Sequence, residues 1–154
     1  RDSPERMTRS QVLEKLDITD QDLIDLAKQG LVDPPPESGE EQLFEEPDLT
    51  LLRVISDTRA VGLGPIFPIP ILTPYTGAIR TLVRTELELF RARVLHGPVP
   101  EDLPVNDIAE QASRLSEQLV LAMRRRLMVT EMSTIADSMD PESDSSTNGK
   151  NGRS

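Results

Sequence analysis

Apolar residues recur at helical spacing in five stretches of the chain, and runs rich in proline, glycine or acid separate them. In "TRSQVLEKL", Val12, Leu13 and Leu16 form one face, and Thr8 or Ser10 can cap the helix they predict. In "DITDQDLIDLAKQGLV", Leu23, Leu26 and Ala27 share a face behind Thr19 or Asp20 as cap, and Gly30 ends the helix as a residue with positive φ would. Three consecutive prolines in "VDPPPESGEEQLF" forbid a helix there. Val32 and Leu43-Phe44 are predicted as short strands either side of a turn at "ESGE". A third helix is predicted from about Glu46 to Ala60, with Pro47 in its first turn. Leu49, Leu52, Ile55 and Val61 line it, and Gly62 and Gly64 stop it.

Beyond that point the pattern changes. "GPIFPIPILTP" has prolines at 65, 68, 70 and 74 with apolar residues between them, which predicts a non-helical segment. It reads as a connector packed on the core or as a docking segment, with Phe67, Ile69 and Ile71 as candidate partner-binding residues. Tyr75 to Leu95 predicts a strong helix lined by Ile79, Val83, Leu87, Phe90 and Val94. After a break at "HGPVPEDLP", a long helix is predicted from Val105 to Ala136. Ile108, Ala112, Leu115, Leu119, Ala122 and Val129 follow an alternating four-three rhythm, interrupted by Arg126, that makes a coiled-coil-like seam of about three heptads. These six are the candidate dimerisation residues; folding back on the same chain is the alternative. The polar residues 1–7 predict a flexible arm and 137–154 a disordered tail.

Composition narrows the chemistry. The chain has no cysteine, so disulfides and cysteine-based zinc or redox sites are excluded. With 3 % aromatic residues and no Trp, its core must rest on Leu, Ile and Val. No run of about 18 apolar residues predicts a membrane span, and no signal peptide is visible, so the expected location is cytoplasmic. His96, the single histidine, sits at a predicted helix end where the dipole favours it, and no catalytic constellation, nucleotide fingerprint or metal-ligand spacing accompanies it. The expectation is a non-enzyme without metal or cofactor. The net charge of −10 removes the simplest argument for nucleic-acid binding, because phosphate contacts dominate such affinity. Arg124, Arg125 and Arg126 are the one basic cluster. On a helix they point in three directions, so they read as solvated or paired with acids such as Glu117 and Glu131, or as a contact for nucleic acid or an acidic partner.

The first sixty residues resemble the MerR-type winged helix-turn-helix. The family pattern is a helix, then "GVS-x-x-x-LRYYE-x-x-GLL", a wing, and "R-x-Y-x-x-x-D-L-x-x-L-x-x-I" with a later glycine. "DITDQDLIDLAKQGLV" aligns without a gap through Ile18, Thr19, Leu23, Gly30 and Leu31. Phe44, Asp48, Leu49, Leu52, Ile55 and Gly62 match the second half. The resemblance covers residues 8–64 and implies a mostly α fold: a small winged helix-turn-helix followed by two long helices, the last coiled-coil-like. The connector spans 65–74 and the helical dimerisation or interaction region 75–136.

The same resemblance implies a dimeric transcriptional regulator whose two-fold symmetry matches an operator. The candidate DNA contacts are then Thr8, Arg9, Ser10, Thr19, Gln21, Lys28 and Gln29. The chain departs from the family where DNA is touched. Ile24-Asp25 replaces the second helix's "R-Y", Gln42 and Leu43 or nearby acids stand at the wing arginines, and Glu37, Glu40, Glu41, Glu45 and Glu46 make the wing acidic. From Met7 to Ala60 thirteen acids oppose five Lys and Arg, a net of −8. MerR-like domains that lack DNA-binding residues serve as protein-binding modules. The chaperone-modulator family, which docks on a J-domain co-chaperone, is similar in its "GL-x-x-P" turn and in the ending carried here by Leu43-Phe44. The alternative expectation is therefore an adaptor or regulator that binds another protein.

Overall fold

The computed structural model describes residues 5–96 and 104–140. It is mostly helical, with two long helices in its second half, as the periodicity predicts. The elements are β1 (Met7–Thr8), α1 (Arg9–Lys15), α2 (Asp20–Lys28), β2 (Leu43–Phe44), α3 (Asp48–Ala60), α4 (Leu72–His96) and α5 (Val105–Ser138), with one 3-10 turn at Ile69–Ile71. The predicted break at 97–103, residues 141–154 of the predicted tail and residues 1–4 of the predicted arm lie outside the described residues. No helix among the described residues is long and apolar enough to cross a membrane.

The chain divides into two compact units, Arg1–Leu89 and Phe90–Ser154. The first, the head, is built around Val12, Ile18, Leu23, Leu26, Val32, Phe44, Leu49, Leu52 and Ile69, joined by Met7. These are aliphatic residues plus one phenylalanine, as the composition requires. Helix ends account for much of the local order. Thr8 and Thr19 each close a capping box, with Gln11 and Asp22 as the reciprocal partners. At the end of α2 the Gly30 N–H donates to Ala27 O (3.0 Å) and the Leu31 N–H to Leu26 O (3.0 Å). That is a Schellman pair, and it needs the φ of +75° that Gly30 adopts. Residues 58–63 repeat the same pair of bonds after α3, around Gly62.

Several expectations are corrected. The strand at Leu43–Phe44 forms, but Val32 is not its partner. β2 pairs antiparallel with β1, in register Met7 with Phe44 and Thr8 with Leu43. Val32 is instead a core residue in a loop. Met7, expected in a flexible arm, is also a core residue. The third helix starts at Asp48 rather than Glu46, and Val61 lies exposed beyond its end. α4 starts at Leu72, three residues earlier than predicted, and takes Pro74 into its first turn. A proline is tolerated there because first-turn N–H groups have no intrahelical acceptor. α5 runs two residues past the predicted end, to Ser138.

Candidate functional site

The residues proposed to meet DNA come from the starts of α1 and α2 and from the end of α2. At the start of α1 they are committed to the protein itself. The Thr8 hydroxyl accepts from the Gln11 N–H (3.2 Å), and the Thr8 N–H donates to Gln11 Oε1 (2.9 Å). Arg9 Nη2 lies 2.6 Å from Asp20 Oδ1, and its Nη1 donates to Gln42 Oε1 (2.9 Å). The Ser10 N–H, the amide expected to face a phosphate, donates to a Glu41 carboxylate oxygen (3.1 Å). Hydrogen bonds from Ser10, the hydroxyl first and the amide second, hold the Glu41 carboxyl below its ordinary pKa. An acid of the loop thus holds the amide that the resemblance assigns to a phosphate.

The starts of α1 and α2 are joined by the Arg9–Asp20 pair. Thr19 is occupied by its capping box with Asp22, and the Gln21 amide donates to Asp25 (3.0 Å). At the other end of α2, Lys28 is exposed and makes no ion pair among the described residues. Gln29 turns inward and donates to the Ile69 carbonyl (3.1 Å). Of the seven candidate contacts, Gln21 and Lys28 keep an outward-facing side chain free of any cap or ion pair. Gln42, matched to a wing arginine, is buried, and its amide donates to Asp33 O (2.8 Å), which closes the loop across its two ends. Leu43 beside it is exposed.

The acidic loop does not gather into one cluster. Glu41 caps α1, Glu45 pairs with Arg6 (2.8 Å), and Glu46 accepts from the Thr50 hydroxyl and lies 3.8 Å from Arg53. No group of three or more His, Cys, Asp and Glu side chains among the described residues is arranged to hold a metal ion.

A bond that the sequence gives no sign of ties α2 to α3. Arg59 donates to both carboxylate oxygens of Asp22, at 2.5 and 3.1 Å, and to Asp17 O (2.9 Å). Asp22 therefore serves two partners, the Thr19 cap and Arg59. The Arg59 guanidinium, helped by Thr19 and opposed by partial burial, holds the Asp22 carboxyl down at about 2. An aspartate in the unfolded chain titrates near 3.9. Because the folded value is depressed, the stabilisation is fully present above about pH 4 and is lost as pH falls through 2. Asp22→Asn is expected to lower head stability by on the order of 1–2 kcal/mol at pH 7. The gap to the parent chain should close between pH 4 and 2 in urea unfolding. A gap that stays constant across that range would rule out the ion pair as its cause.

In the connector, Ile69 is 4 % exposed and belongs to the core. That corrects its candidacy as a partner-facing residue and leaves Phe67 and Ile71, both partly exposed. On α5 the six seam residues fall along one side. Leu115, Leu119 and Val129 are more than half exposed, and Ile108, Ala112 and Ala122 lie on the same side. Apolar exposure extends past that seam, to Val120, Leu121, Leu127, Met128 and Ile135. At 100° per residue Val120 and Leu127 sit about a third of a turn from the seam centre. These residues fall outside the single four-three rhythm of the seam.

Comparison with family models and with curated proteins returns no match for this chain.

Proposed function

We propose that the chain is a protein-interaction adaptor or regulator on a MerR-like head, cytoplasmic and homodimeric through α5. The observation that carries this reading is the Glu41 carboxylate on the Ser10 amide, reinforced by Asp20 on Arg9. Phosphate contacts supply most DNA affinity and its salt dependence. Here the first group placed to make one already holds an internal anion, and the second is already neutralised. An incoming phosphate would have to displace Glu41 and meet the remaining acids of a head with net charge −8 between Met7 and Ala60. Exposed Phe67 and Ile71 and the bare faces of α5 offer apolar surface of the kind that meets protein.

A second reading keeps the activity of the resembled family: a dimeric transcriptional regulator that binds DNA. It rests on the outer face of α2, where Gln21, Ile24 and Lys28 face solvent. A titration of duplex DNA at about 50 and 200 mM salt separates the two. The adaptor reading expects no binding at either salt concentration. Binding at 50 mM that collapses at 200 mM, and that Lys28→Glu abolishes, would establish the regulator instead.

A further inference from the structure

Between the end of α2, the middle of α3 and the first three turns of α4 lies a groove of about 560 Å³. Leu31, Leu51, Leu72, Ile79 and Val83 make its apolar floor. Ile79 and Val83 are about half exposed, so the floor is open to solvent along α4. Tyr75, Ile79 and Val83 follow one another at four-residue intervals, and Leu87 continues the row. At 1.5 Å per residue that ridge is about 18 Å long, three turns of helix. Ridges of this i, i+4 kind are the rows on which two helices interlock. The length and openness favour an elongated partner over a small enclosed ligand, which such sites usually bury by about 70–90 %.

The charge at the groove is opposite to that of the chain. Arg80 and Arg84, one turn apart, are the charged side chains that line it among the described residues. Neither makes an ion pair among the described residues. Arg80 donates to the Gln29 carbonyl at 3.3 Å, which holds its guanidinium at the groove edge beside Gly30. The chain carries 27 acids against 17 lysines and arginines, yet among the described residues no acid lines this surface. We infer that the groove receives an acidic amphipathic helix of a partner protein. Its apolar residues, spaced by three and four, pack on the Tyr75–Val83 ridge, and its carboxylates meet Arg80 and Arg84. The inference rests on the adaptor reading for the existence of a protein partner, but the surface is distinct from the outer face of α2.

The probe is a fluorescein-labelled helical peptide of about 18 residues, with leucines at heptad a and d positions and glutamates flanking them. A control peptide has every glutamate replaced by lysine. Anisotropy titrations with the full chain should show the acidic peptide binding at least about 10-fold more tightly than the lysine peptide. Arg80→Gln with Arg84→Gln should remove most of that preference while circular dichroism keeps its helical signal, and Ile79→Gln should weaken the acidic peptide. Equal binding of the two peptides, or an acidic preference that survives loss of both arginines, overturns the inference. So does absence of acidic-peptide binding, whether or not Ile79→Gln lowers the mass of the chain in sedimentation. In that case a lowered mass assigns the ridge to a second copy. Failure of the peptide while duplex DNA also stays unbound removes the groove and leaves the adaptor reading. DNA binding removes the adaptor reading without bearing on the peptide result.

Discussion

Replacing Phe44 with alanine is expected to destabilise the head by about 3–5 kcal/mol, a large part of the total stability of a small domain. Phe44 is 1 % exposed, is the one aromatic residue in the core, and sits in the two-residue strand that pairs with Met7–Thr8. It belongs to one core cluster with Val12 of α1, Leu23 and Leu26 of α2, and Leu49 and Leu52 of α3, and its loss leaves that cluster a void. The control lies next to it. Leu43 is 53 % exposed on the opposite face of the same strand, so Leu43→Ala should cost less than about 1 kcal/mol. Urea unfolding of both variants checks the pair. Equal losses would mean that strand pairing, rather than the ring, holds this corner.

The second large effect concerns association. A chain that ends before Val105 should sediment as a monomer, and so should full-length Leu119→Glu. Leu119 is 61 % exposed at the centre of the α5 seam. If the seam closes on a second copy, each buried leucine contributes about 1.5–3 kcal/mol, and a carboxylate placed there must be desolvated without a partner. A truncated chain that stays dimeric would move the interface to residues 75–95. A mass above that of a dimer in the parent chain would have a ready explanation in Val120, Leu127 and Met128. Those side chains lie off the seam, and one partner helix does not cover them.

How much of this was legible from the residues depends on the range over which each signal acts. Thr8, Thr19, Gly30 and Gly62 announce helix ends, because caps and glycine turns are local chemistry and every participating group lies within about six residues. Ile79, Val83 and the α5 seam announce helices, because a long period is hard to produce by chance. The partner of β2 was not legible. A two-residue strand shows no alternation, and the Met7–Phe44 pairing spans the whole of α1, α2 and the loop. Asp22 could be placed in a first turn, but its second partner, Arg59, lies 37 residues away and nothing in the spacing marks it. The same limit applied to the proposed DNA contacts. Arg9 and Ser10 could be placed at a helix start, while Asp20 and Gln42, which occupy Arg9, and Glu41, which occupies Ser10, come from other segments. Ile69 looked like its exposed neighbours Phe67 and Ile71 because a proline-interrupted segment has no period to separate inside from outside.

The acids on the head surface have a consequence for how the chain responds to ionic strength. Glu37, Glu40, Glu45 and Glu46 are exposed, and copies brought together through α5 would each carry a head of net charge −8 between Met7 and Ala60. Like charges at that density oppose assembly through a field that reaches about 30 Å at 0.01 M salt and only about 8 Å at 0.15 M. Added salt should therefore strengthen the proposed pairing of copies through α5, the reverse of its effect on a protein that grips phosphate. The same electrolyte would act as a mild glue, and dilution into low-salt buffer as a mild solvent, for an assembly whose contacts are themselves apolar.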